Sequence, residues 1–354
     1  MRRFCFLHPR VNNVADFKKY LKIGDELDEI DLVWDMDHPE ICFATEVIFA
    51  NLKYWKLFKT LSQISKVNVF YSKEAMTIDF NIFDIGMTFD NTINGERYCQ
   101  ILPPEESIGG FLTKSENEIR TPEQAFPLLK GRKFCNFLYS NYNAHPMRDQ
   151  LFFKISEYKR IDSMGKHLNN VGIPGTGWYG HAMDCVKIKS NYKFSIACEN
   201  ASFPGYTSEK LLTSLEAHTV PIYFGNKDAD LDVNPECYIN VMEYHTLEEL
   251  IEKIREVDTH DDLWCEMVSK PWYASKQLEL KAIRRKDYYD MLKRIFTENI
   301  EHLIYRGVGP MENRYREFYY RKGPRNRYIS YLILFKQKLE KEYFYRWRNN
   351  IWKH

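Results

Sequence analysis

The chain has 354 residues, about twice the roughly 150 of a typical domain, and 44% of them are apolar, enough for a core in each of two domains. This excludes intrinsic disorder, and a formal charge of +1 from 50 basic and 49 acidic residues excludes a nucleic-acid partner held by bulk charge. Eight dispersed cysteines form no Cys-x-x-Cys pair, so reduced, buried thiols are expected rather than a zinc site.

At the N-terminus, Met1 to Arg3 precede an apolar run of four residues, Phe4 to Leu7, whereas a secretory core needs at least about seven. No stretch approaches the roughly 18 uninterrupted apolar residues of a spanning helix. A cytoplasmic chain is expected. Short β-rich runs at 32–34, 67–71, 134–139, 194–198 and 220–224 alternate with helix-like segments, the pattern of parallel sheets in an α/β fold. Asp35 and Asp37 imitate the D-x-D pair that shares a divalent ion with a sugar diphosphate. The same spacing recurs at Asp228, Asp230 and Asp232, and the pair is read as ordinary charge, with no metal assigned. Prolines 103, 104, 122 and 127 and glycines 109 and 110 mark a linker between Leu102 and Lys130. The expected division is 1–125, 126–300 and a separate module, 301–354.

In the second unit, the run at 134–139 leads to a helix start at Pro146, with Arg148 in its first turn and Leu151, Ile155 and Tyr158 on its buried face. Gly175, Gly177 and Gly180 spell G-x-G-x-x-G, but Pro174 stands before them, and the segment from Asp184 to Lys193 is too polar and short for a dinucleotide-binding helix. A glycine loop is expected instead. From 194 to 224 the pattern is strand, loop, helix over 207–218, strand, and ligands of such units sit at strand ends beside the helix N-terminus, which attracts phosphate. Lys210 lies in that first turn, where a cation opposes the helix dipole. A bound anion accounts for both cations as a diphosphate clamp; the alternative gives each a local partner, Asp149 for Arg148 and Glu209 for Lys210. Zinc-protease, deaminase and α/β-hydrolase motifs are absent.

From Arg306 onward the chain carries net charge +9 and twelve aromatic residues, and Tyr328, Leu332, Phe335, Leu339 and Tyr343 fall on one helix face. Such a basic amphipathic helix suits an anionic membrane surface or packs on its own domain or a partner subunit.

The segments YKFSIACEN (192–200), GYTSEK (205–210) and VPIYFG (220–225) resemble the donor-binding signature of the α-1,3-fucosyltransferase family, glycosyltransferase family 10. The loop SNYNAHPMR (140–148) and FNIFD (80–84) extend the likeness, which runs from about residue 30 to 300 and is nearest the bacterial members. The resemblance implies a GT-B fold, two Rossmann-like domains facing across a cleft, with GDP-fucose on the C-terminal domain and a glycan acceptor, such as an N-acetyllactosamine-like or lipopolysaccharide sugar, on the N-terminal one. It implies an inverting transfer that needs no cofactor. Arg148 and Lys210 would face the donor diphosphate, Glu209 the ribose, and Asn200 and Tyr206 the rest of the donor. Glu74 occupies the family's general-base position, although Ala75 and Met76 replace the Asn or Ser-Pro that usually follow. A same-fold enzyme with another nucleotide-sugar donor, and a non-catalytic glycan- or nucleotide-binding protein, are the alternatives.

Overall fold

The computed structural model describes residues 2–101, 119–171, 182–307 and 309–322. Six parallel strands form a first sheet: β1 (Arg2–Leu7), β2 (Leu32–Trp34), β3 (Ile41–Ala44), β4 (Val67–Tyr71), β5 (Ile85–Thr88) and β6 (Tyr98–Gln100), in the order β2-β1-β3-β4-β5-β6. Its central strands are apolar on both faces, as a parallel sheet covered on both sides requires. Along β1, Phe4 and Phe6 enter one core while Cys5 and Leu7 enter the other. The helix Leu52–Ile64 covers the second face through Trp55, Phe58 and Leu61, spaced three apart, and starts where the Asn51 side chain accepts the Lys53 N–H.

A second parallel sheet contains β7 (Lys133–Phe137), β8 (Ile161–Ser163), β9 (Tyr192–Cys198), β10 (Val220–Phe224) and β11 (Ile239–Asn240), in the order β11-β10-β9-β7-β8. Strand β7 stops short of the expected residue 139. The Tyr139 hydroxyl takes over there, donating to Ile196 O at 2.9 Å and accepting the Cys198 N–H at 2.6 Å. The helix expected over 207–218 spans Glu209–Glu216: Ser208 caps its start, and His218 adopts a left-handed conformation just beyond its end. The G-x-G-x-x-G residues lie outside the described residues. A short helix of eight residues, Ala182–Lys189, follows them. Buried Lys189 secures it, donating to Thr213 Oγ1 at 2.8 Å, Ser214 Oγ at 3.0 Å and Lys210 O at 3.2 Å.

The helix Ser275–Thr297 carries the chain back to the first sheet. Tyr288, Leu292, Ile295, Phe296 and Leu303 belong to the core that holds Phe4 and Phe43, and Phe296 stacks on Phe43 at 5.9 Å. Asp84 then anchors the chain, accepting the N–H groups of Tyr305 and Arg306 at 2.9 Å and pairing with the Arg306 guanidinium at 2.7 Å. The helix Pro310–Lys322 lays Tyr319 and Tyr320 against Trp55, and the Tyr320 hydroxyl lies 2.9 Å from that of Ser62. The expected stripe from Tyr328 to Tyr343 lies outside the described residues. Among the described residues, no helix is long and apolar enough to cross a membrane.

Candidate active site

The carboxyl ends of β7, β9 and β10 gather the sequence-predicted cations. Arg148 sits at the start of the helix Met147–Tyr158 and is 1% exposed. Its Nη2 donates to Cys198 O and Asn200 Oδ1, both at 2.8 Å, and its Nη1 donates to Asn141 O at 3.3 Å. The guanidinium lies 4.1 Å from the Tyr139 ring centre, a cation–π contact. Among the described residues Nε has no hydrogen-bond partner and no carboxylate pairs with this arginine. Asp149, the local partner considered for it, is drawn instead to His167 Nε2 at 2.6 Å. A buried cation held only by carbonyls, an amide and a ring is poorly compensated, and a bound anion stabilises it.

Lys210 differs: its ammonium meets Glu199 Oε2 at 3.2 Å, Ser208 Oγ at 3.0 Å and Glu209 Oε1 at 3.4 Å. Burial acts to lower its pKa, but Glu199 and then Glu209 outweigh it and hold the ammonium well above its ordinary range. Lys210 also holds the Glu209 carboxyl below the usual range. The sequence reading assigned no role to Glu199. This side chain is fully buried and accepts the Ser208 N–H at 2.7 Å and the Ser208 hydroxyl at 2.6 Å, so it fixes both the helix cap and the lysine. Gly225 makes room for it, since a Cβ there would approach Glu199 Cγ to 2.3 Å.

Tyr206 and Glu74 meet across the two units. The Tyr206 hydroxyl donates to Glu74 Oε2 at 3.4 Å, and its ring packs edge-on against Phe89 at 5.2 Å. Gly205 permits this approach: at φ +74°, a Cβ there would lie 2.0 Å from Phe89 O. Glu74 follows β4, and its N–H donates to Ser72 Oγ at 3.1 Å. Burial and then the nearby Glu46 carboxylate raise its pKa, while Lys210 and Tyr206 act in the opposite direction. Beside it, the Lys73 ammonium donates to Tyr20 O at 2.8 Å and is pulled down to about 8, chiefly by burial. The structure therefore brings together Glu74, Tyr206, Glu209 and Lys210, and joins Arg148 to Asn200. Asp35 lies apart: its Oδ1 accepts the N–H groups of Asp37 and His38 at 2.9 and 2.8 Å, a local turn that occupies the oxygen. Among the described residues, no group of three or more His, Cys, Asp or Glu is arranged to hold a metal ion.

Two parallel α/β units make a GT-B-like, two-Rossmann-domain architecture, with cations at the strand ends of one and the Glu74 carboxyl just beyond a strand of the other. A crystal structure of an α1,3-fucosyltransferase superposes with a TM-score of 0.65 at 20% identity, covering 84% of this chain and 91% of that one. The family model for the C-terminal region of glycosyltransferase family 10 (fucosyltransferase) matches residues 129–300, and that segment is similar to this family. A protein of Acanthamoeba polyphaga mimivirus named as a fucosyltransferase is 30% identical over 181 residues, 49% of this chain and 30% of its own length. The α-(1,3)-fucosyltransferase FucT of Helicobacter pylori is 26% identical over 239 residues, 59% of this chain and 48% of its own. The chain thus spans less than half the length of these curated relatives.

Proposed function

We propose that the chain is an inverting fucosyltransferase that moves L-fucose from GDP-fucose to a hydroxyl of a glycan acceptor, forming an α-1,3 linkage to an N-acetylglucosamine-type sugar. The observation that carries this reading is the buried Arg148, without a carboxylate partner among the described residues, on the same strand ends as Lys210. The names of the matched relatives support the sugar and the linkage. In the proposed reaction Glu74 takes the acceptor proton as the hydroxyl oxygen attacks the anomeric carbon of GDP-β-L-fucose. Bond breaking leaves negative charge on the GDP β-phosphate, which Arg148 and Lys210 stabilise from fixed positions. Glu209 is assigned to the ribose, Asn200 and Tyr206 to the remainder of the donor, and no metal or cofactor to any step. The acceptor is assigned to the unit of residues 1–125 and the donor to 126–300.

The setting proposed is the cytoplasm, with the basic tail resting on an anionic membrane face. Its charge supports that contact, whereas the docking of Tyr319 and Tyr320 favours packing for the part that is described. A mass-spectrometric screen of GDP-fucose, GDP-mannose and UDP-sugars against N-acetyllactosamine and lipopolysaccharide-type acceptors tests the reading. A fucosylated product from GDP-fucose alone is expected. Transfer from another donor replaces the sugar assignment, and donor binding without turnover on any acceptor leaves a binding protein.

A further inference from the structure

Asp232 lies behind the loop that carries the donor-site residues, with its side chain 9% exposed. It collects donors from three parts of the chain. Thr207 Oγ1 donates at 2.6 Å from the loop itself, Asn226 Nδ2 donates at 3.3 Å from just beyond β10, and the Arg284 guanidinium pairs with it from the helix Ser275–Thr297. Fully buried Asn226 faces two ways. Its Nδ2 also donates to Thr207 Oγ1 at 3.1 Å, while its Oδ1 accepts the N–H groups of Gly205 and Asp228 at 3.0 Å each. Asp228 in turn accepts a hydrogen bond from Asn91 Nδ2 of the first unit at 3.1 Å.

None of these side chains is among the groups assigned to the donor, yet the network ends on them. Thr207 immediately precedes Ser208, whose hydroxyl accepts from Lys210 Nζ at 3.0 Å and donates to Glu199. We propose that Arg284 and Asp232 are positioning residues, which fix the place of Lys210 through Thr207 and Ser208 and tie it to the helix that completes the first unit's core. The proposal rests on the reading that Lys210 binds a nucleoside diphosphate.

The physical reason is that a carboxylate this little exposed keeps one orientation best when a cation is paired with it. Arg284 supplies that cation in a planar, forked form that a lysine reproduces only as a point charge. Without Arg284, the Asp232 carboxylate loses its ion-pair partner and turns toward water. The Thr207 hydroxyl then loses a charge-assisted bond, and the loop preceding Lys210 gains freedom that donor binding must remove again.

The test is calorimetric titration of GDP into the full chain carrying Thr207→Val, Arg284→Gln, Arg284→Lys, or the first two together. Thr207→Val and Arg284→Gln should each weaken GDP binding about tenfold, the effect of one charge-assisted hydrogen bond. The double variant should be no more than about twofold weaker than the weaker single, because both act through Asp232. Arg284→Lys should recover part of the loss. Unchanged GDP affinity in folded Thr207→Val overturns the proposal, as does a fully multiplicative loss in the double variant. Where Arg284→Gln does not fold, Thr207→Val decides alone: the KM for GDP-fucose should rise about tenfold, with kcat and the acceptor KM within about threefold. A wild-type chain that binds no GDP overturns the donor reading itself and this proposal with it.

Discussion

Replacing Glu74 with Gln keeps the size of the side chain and its contact with the Tyr206 hydroxyl at 3.4 Å but removes the ability to accept a proton near neutral pH. General-base assistance contributes about 10² to 10⁴ in rate, or about 2.7 to 5.4 kcal/mol of barrier. Neither Arg148 nor Lys210 hydrogen-bonds to Glu74, so GDP-fucose affinity should stay within about twofold while kcat falls by that factor. The pH profile adds a second readout. Burial and the Glu46 charge raise the Glu74 pKa, so the acidic limb of kcat/KM should lie above the ordinary glutamate value of about 4.3, with activity lost as pH falls through it. The Tyr206 bond lowers this pKa, so Tyr206→Phe should move the limb further up. Initial rates with saturating donor, paired with calorimetric affinity on the same samples, decide the matter. Near-normal turnover in Glu74→Gln removes this carboxyl from the mechanism, and lost donor affinity moves it into the donor site.

Arg148→Ala and Lys210→Ala should each weaken GDP binding by about 1.5 to 3 kcal/mol, measured by calorimetry on variants whose folding is checked by circular dichroism; unchanged affinity in both removes the clamp. Buried Lys189 has its pKa lowered to about 8, chiefly by burial, whereas in the unfolded chain it titrates near 10.4. Between those values the unfolded state binds more protons, so stability from this group rises with pH across that window and is flat below it. Thermal melts of wild type and Lys189→Met from pH 7 to 10.5 should show the wild type gaining on the variant by up to about 3 kcal/mol. Truncation after Lys322 spares the docked tyrosines and should abolish salt-sensitive sedimentation with anionic vesicles while preserving transfer to a soluble acceptor. Indifference of the full chain to such vesicles at low salt rejects the membrane role.

Local pattern carried much of the architecture. The strands at 67–71 and 220–224 were legible because runs of β-branched and aromatic residues bounded by polar segments have few other homes. Arg148 and Lys210 stood out because a cation in a first helical turn works against the dipole. Glu199 was not legible as a structural centre, since its importance comes from three donors converging on a fully buried carboxylate, a property of packing rather than spacing. Asp84 was quoted only as part of a resembling stretch, and its task of anchoring residues 305 and 306 joins segments too distant for any periodicity to connect. The same distance hid the return of Tyr288, Leu292 and Phe296 to the first core: the helix that carries them is too evenly polar to announce which face is buried.

That return has a bearing on how the protein comes into being. Every strand of the first sheet has been synthesised by Gln100, yet Tyr288, Leu292, Ile295, Phe296 and Leu303 are added only after the whole second sheet has left the ribosome. Until then Phe4, Phe17 and Phe43 lack the partner that covers them, and the nascent first unit presents an aromatic surface of the kind that chaperones hold and neighbouring chains aggregate on. In the chain, the second sheet lies between the first sheet and the helix that completes its core. A fragment ending at Ile101 would therefore carry the first sheet without its lining, whereas one that rejoined residues 275–307 to it by a short connector would restore the missing wall.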